Sequence, residues 1–196
     1  MKIVTWPASH ALSASLLMAL LLPAVAMADD VLTGVLARIA ARGGGKALFV
    51  ETQYLSVLKR PQESSGELLF APPDHLEKLT LAPKQESVVV DKDRLTFVRN
   101  GKSRSMSLSA YPQVGVFIES IRATLAGDRS ALERNFQLDF SGDDAAWKLS
   151  LEPRDGKLTA ILQRIHITGR EGVVDSFEMF RADGDRSVIR VTLPGA

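Results

Sequence analysis

The sequence predicts an α+β protein built on one large antiparallel sheet. Three observations carry that prediction. Short runs alternating apolar and polar residues recur from residue 46 to the end of the chain, separated by turn residues at close intervals. Two other stretches repeat apolar residues at helical spacing. Strands and helices do not alternate one for one, so the crossovers of a parallel sheet have no place. A sheet of so many strands curls, and its concave face needs an apolar cover.

The first 28 residues read as a targeting segment. Lys2 precedes an apolar run from Leu16 to Ala28 that is interrupted by Pro23 and closes with Ala26-Met27-Ala28 before Asp29. This is the pattern of a cleavable secretory signal, too short for a spanning helix of roughly 20 apolar residues. Residues 29–196 are therefore expected to form a single exported, soluble domain. The chain has no cysteine. That excludes disulfides, thiolate metal sites and the acylated cysteine of a bacterial lipoprotein. Without Lys2 the 24 basic residues fall level with the 23 acidic ones. Such a balance does not point to nucleic acid or to strong attraction toward anionic lipid.

The stretch Asp30 to Arg42 places Leu32, Val35, Leu36 and Ile39 on one helical stripe, acidic at its start and basic toward its end, with Gly43-Gly44-Gly45 as the stop. Lys46 to Leu58 is rich in strand formers, Arg60-Pro61 to Gly66 reads as a turn, and Glu67 to Ala71 as the returning strand. Leu76 to Leu81, Glu86 to Val90 and Leu95 to Arg99 follow, separated by Pro83 and Asp91-Lys92-Asp93. Asn100-Gly101 then joins the last of these to a run through Arg104, Met106 and Leu108, a strong hairpin signal. Prolines fall at the ends of the runs, where they cost no ladder bond.

A second helix is expected from Gln113 to Leu125, with Val114, Phe117, Ile118, Ile121 and Leu125 as its stripe, Pro112 at its start and Gly127 beyond its end. Leu132, Phe136, Leu138 and Phe140 lead through Ser141-Gly142-Asp143-Asp144 to Trp147, Leu149 and Leu151. Asp155-Gly156 turns the chain into a mixed stretch that passes into a strand at Ile165 to Ile167. Val173 to Arg181 and Ser187 to Leu193, joined by Asp183-Gly184-Asp185, form a closing hairpin.

Catalytic equipment is not evident. His75 and His166 are the histidines beyond the signal, far apart and without the carboxylate pattern of a zinc site. No nucleophile elbow, phosphate loop or dinucleotide fingerprint occurs. Asp143-Asp144 and Asp183-Gly184-Asp185 fit turns better than a calcium loop. No catalytic, metal-binding or cofactor-binding residue is therefore assigned, although paired carboxylates across a fold leave an exported hydrolase open. The unusual feature is apolar surface. Leu68 and Phe70, Leu95 and Phe97, Met106, and Trp147 with Leu149 occupy strand positions of one parity. With Phe117, Ile121 and Leu125 of the second helix they could line a ligand cavity or fill a closed core. Periodicity does not separate the two.

The order "KALFVETQYLSVLKRP", "SSGELLFAPPDHLEKLTLAP", "ESVVVDKDRLTF" resembles the LolA-like family of periplasmic outer-membrane lipoprotein carriers, and within it a subgroup encoded with aryl polyene pigment biosynthesis. The resemblance extends over residues 29–196. It implies an incomplete β-barrel closed by helices over an apolar cavity that takes up acyl chains, working as a monomer without a cofactor in the Gram-negative periplasm. The implied partners are an acylated lipoprotein or other lipid as cargo, an inner-membrane donor and an outer-membrane acceptor, with no nucleic acid. The ten residues Leu68, Phe70, Leu95, Phe97, Met106, Phe117, Ile121, Leu125, Trp147 and Leu149 become the expected cavity lining. One departure stands out. Carriers of the family end their second strand in Lys-Arg-Pro, whose arginine holds a helical lid, and here Ala71-Pro72-Pro73 falls at that place. Lys59-Arg60-Pro61 spells the same letters one strand too early. Closure of the lid is thus expected to rest on apolar contact alone, and the helix from Gln113 is its candidate.

Overall fold

The structure, a computed structural model, describes residues 24–195. The predicted signal, residues 1–28, lies mostly outside them. Helix α1 runs over Ala24–Ala41 and is followed by six strands: β1 Gly45–Tyr54, β2 Gln62–Ala71, β3 His75–Ala82, β4 Glu86–Asp91, β5 Arg94–Arg99 and β6 Lys102–Ser107. A 3-10 turn at Leu108–Ala110 leads into α2, Pro112–Ala126, and α3, Arg129–Asn135. Five further strands close the chain: β7 Phe136–Gly142, β8 Trp147–Pro153, β9 Leu162–Arg170, β10 Val173–Arg181 and β11 Arg186–Thr192, with a short helix α4, Gly156–Thr159, before β9.

All eleven strands join one antiparallel sheet in the order β6-β5-β4-β3-β2-β1-β11-β10-β9-β8-β7. Every neighbouring pair but one joins strands consecutive in the chain, by a direct turn or, between β8 and β9, through α4. The exception is β1 with β11, which joins the two meanders at the centre of the sheet. β6 and β7 do not meet, so the sheet is an open, incomplete barrel as expected. The edge strand β6 carries Lys102 and Arg104, charges that discourage further pairing.

Two local readings are corrected. Gln62 to Gly66 continues β2 rather than forming a turn, because all of it pairs with β1, from Gln53↔Gln62 to Phe49↔Gly66. Gly66 is required there, since a Cβ would lie 1.9 Å from the Leu79 carbonyl oxygen. The stretch through Leu132 opens as helix α3, capped by Asp128, which accepts from the Ala131 N–H at 2.9 Å. α2 starts with proline in its first turn and stops at Gly127, whose left-handed φ of 70° favours glycine and where a Cβ would lie 2.7 Å from the Leu36 carbonyl oxygen.

One face of the sheet is apolar along its whole width. Register places Phe140, Leu149, Ile167, Phe177 and Ile189 in one row across β7, β8, β9, β10 and β11. Gly45, Phe70, Leu76, Val90, Leu95 and Met106 form another across β1 to β6. α1 covers the first half. Its Leu32, Val35, Leu36 and Ile39 are at most 5% exposed and join a core with Phe136, Trp147, Leu149, Leu151, Ile165 and Ile167. Burying four such side chains is worth about 6–12 kcal/mol before entropy is counted.

Candidate functional site

The other half of the inner face is not filled. A cavity of about 340 Å³ lies between strands β1 to β4, β10 and β11 and the apolar stripe of α2. Its floor is Ala47, Leu68, Phe70, Leu76, Val88 and Val90 on one side and Phe177, Ile189 and Val191 on the other. Phe117, Ile118, Ile121 and Leu125 of α2 form the roof. The closed-core and open-cavity readings of the sequence each describe one half of the sheet. α1 packs closely over its half, whereas over the other half α2, with Ile39 of α1 at the margin, leaves the space open.

Of the ten expected lining residues, Leu68, Phe70, Phe117, Ile121 and Leu125 lie on this cavity. The other five do not. Trp147 and Leu149 belong to the packed core beneath α1, 4% and 1% exposed, and Gly169 is bare because a Cβ there would press on the Trp147 ring. Leu95, Phe97 and Met106 share the inner rows but sit beyond β4, half-buried toward the β6 edge. Strand parity assigns a side chain to a face, and the position of the covering helix decides what it meets.

Sequence reasoning missed the polar members of the lining. Among them are Glu51, Lys78 and Ser187: Glu51 and Ser187 stand toward the Tyr54 end of β1, and Lys78, opposite Leu68, reaches Glu51. Glu51 is 5% exposed and ion-paired to Lys78. Its Oε1 accepts from Ser187 Oγ at 2.6 Å and Gln53 Nε2 at 2.9 Å. Burial pushes the Glu51 carboxyl up, but the Gln53 amide, the Lys78 ammonium and the Ser187 hydroxyl outweigh it and hold the group below the usual carboxylate range. Lys78 also lies 5.0 Å over the Phe49 ring. A signal existed: Lys78 stands between Leu76 and Thr80 at an inward position of β3, against the alternation.

The roof is tied down, and not by apolar contact alone. Arg122 of α2 is only 9% exposed and donates through Nη2 to the backbone carbonyls of Asp74 and, at 2.8 Å, Lys92. These carbonyls lie in the β2–β3 and β4–β5 turns, so α2 is pinned to the rim beside Pro72-Pro73. This corrects the expectation that followed from the missing strand-end arginine. The fastening cation sits on the helix, and its acceptors sit on the sheet. Its Nε is buried without a partner.

The histidines serve the sheet. His75 Nε2 lies 2.8 Å from Glu77, and His166 stacks edge-on against Phe180 with its pKa lowered, chiefly by burial. Among the described residues no three His, Cys, Asp or Glu side chains converge as a metal site would require, and no helix is long and apolar enough to cross a membrane.

No curated protein matches the chain. Solved structures with a similar fold include a LolA superfamily protein from Nitrosomonas europaea, 11% identical, covering 86% of this chain and 94% of its own, with a TM-score of 0.47. A putative outer membrane lipoprotein-sorting protein domain from Vibrio parahaemolyticus is 12% identical over 86% of this chain and 94% of its own, with a TM-score of 0.42. The MucA/MucB complex of Pseudomonas aeruginosa gives 15% identity over 83% of this chain, 56% of the matched chain and a TM-score of 0.46. Residues 23–196 match the family described as outer membrane lipoprotein carrier protein LolA-like. The chain therefore belongs to that LolA-like family.

Proposed function

We propose that the protein is a soluble periplasmic carrier that shelters the acyl chains of a lipoprotein or another lipid, such as a polyene lipid, and conveys them toward the outer membrane. The observation that carries this reading is the apolar cavity roofed by α2. Removing acyl chain from water stabilises a complex by about 0.8 kcal/mol per CH₂, so sequestration needs no chemistry. The protein is accordingly read as non-enzymatic. An inner-membrane donor would load it and an outer-membrane acceptor would unload it. α2 would be the lid: its apolar stripe lies on the cavity, Arg122 fastens it to the rim and Ala123 packs into the core with α1, so freeing Arg122 would leave apolar packing as its remaining hold.

Native mass spectrometry of protein purified from the periplasm tests the reading, with co-purified lipid or acylated protein as the expected result. Competition between lipid and a fluorescent fatty-acid probe gives the affinity. Absence of both would favour a binding module with a filled core. Turnover of an ester substrate would favour the exported hydrolase.

A further inference from the structure

The most exposed large apolar side chain of the described residues stands at one rim of the half-barrel. Val57 is 86% exposed, and Leu58 beside it is 40% exposed. They occupy the connection between β1 and β2, and two cations, Lys59 and Arg60, follow directly. This tip is held, not loose. The Leu58 N–H donates to the Leu55 carbonyl at 2.9 Å, closing a tight turn with Val57 at its apex. The Ser56 N–H donates to Asp185 Oδ1 at 2.8 Å, tying the turn to the β10–β11 connection. Below it the Arg186 guanidinium covers the Tyr54 ring at 4.1 Å.

The rim around the tip is locally basic. The β3–β4 and β5–β6 turns lie at the same end of the sheet and bring Lys84 and Lys102, both exposed. Neither these lysines nor Lys59 and Arg60 form an ion pair, whereas the nearby acids Glu86, Asp183 and Asp185 are each held by an arginine. Glu63, exposed at the start of β2, and Asp155, in the β8–β9 connection farther along the same end, are acids there without such a partner. A near-zero net charge thus conceals a clustered positive rim with an apolar point at its centre.

We propose that this rim is a docking surface for a bilayer carrying anionic lipid, with Val57 and Leu58 entering the interface and Lys59, Arg60, Lys84 and Lys102 resting on the headgroups. An apolar point flanked by cations is what such a surface selects, because buried apolar area and attraction to anionic headgroups add. The site is separate from the acyl cavity. Docking would set the protein on a membrane without occupying the cavity.

The test is sedimentation of the mature protein with vesicles of phosphatidylcholine alone or mixed with phosphatidylglycerol. Binding to the mixed vesicles is expected, weakening as salt rises. The double change Lys59→Gln, Arg60→Gln should lower partitioning roughly thirty-fold at low salt, from about 1 kcal/mol per cation near an anionic surface. Val57→Ser should lower it roughly ten-fold. Val57→Trp should give indole emission that shifts to the blue on mixed vesicles. Tyr111→Ser, an exposed apolar change at the opposite rim, should alter nothing. Fatty-acid probe affinity should be unchanged in every variant, which separates this proposal from the carrier reading. The proposal is overturned by absence of vesicle binding, by binding indifferent to the rim changes, or by loss of probe affinity in their place.

Discussion

Replacing Arg122 with methionine keeps the buried stem and removes the two hydrogen bonds from α2 to the Asp74 and Lys92 carbonyls. Hydrogen bonds from a charged donor are each worth about 1.5–3 kcal/mol. The buried Nε has no partner, and removing it recovers some desolvation cost. A net loss of about 3 kcal/mol follows. If that loss falls on global unfolding, Tm should drop by about 6–12 °C for a domain of this size. If α2 opens on its own, as a lid must, the loss falls on that opening, and amide exchange over Phe117 to Leu125 should speed up about a hundredfold while the central strands keep their protection. Hydrogen exchange with mass spectrometry, with and without fatty acid, reads the difference. Cargo should restore protection in both proteins. Because the hydrogen-bond acceptors are neutral carbonyls, and the one carboxylate acting on Arg122, Asp93, is exposed and its smallest influence comes from Arg122, opening should change little between 0.1 and 1 M salt. Equal protection of Phe117 to Leu125 in empty, loaded and variant protein would refute the reasoning and make α2 a fixed wall.

Phe70→Asp places a carboxylate on the cavity floor and should abolish fatty-acid probe binding, while Phe97→Asp, beyond β4, should leave most of it; circular dichroism checks folding first, and equal losses would deny the cavity its observed boundary. Glu51 adds a pH dependence. Its folded pKa lies below its unfolded value near 4.3, so the stability it contributes is present above that value and is lost as pH falls through the folded pKa. Glu51→Gln should therefore be less stable at pH 7 and show a flatter stability profile below about pH 4, measured by urea unfolding across pH; parallel profiles would mean that the Lys78 pair adds nothing.

Much of the fold was legible because hairpins are local. Asn100-Gly101 and Asp183-Gly184-Asp185 fix their turns within a few residues, and Pro112 and Gly127 bracket α2 almost to the residue. The failures share a cause, which is distance along the chain. Gln62 to Gly66 is polar and glycine-bearing, and reads as a turn until its pairing with β1 is known. α3 has only seven residues, and its apolar Leu132 merges with the β7 pattern that follows. Phe70 and Trp147 look alike in sequence, yet one faces a cavity and the other a packed core, because different helices lie over them. Arg122 could not be read as a fastener, since its acceptors are backbone carbonyls, 48 and 30 residues earlier in the chain.

The central β1–β11 ladder has a kinetic consequence. All other pairings join consecutive strands through short connections and can form early, whereas Leu48↔Thr192 and its companions join segments separated by almost the whole domain. Ile189 and Val191, with the Ser187–Glu51 bond, reach the cavity only through that ladder. The last strand made is thus the one that completes the compartment. During synthesis each meander can take shape with its apolar face uncovered, but the space between them exists only once β11 has paired with β1. A molecule interrupted before β11 would expose the same greasy surface with nowhere to hold a guest.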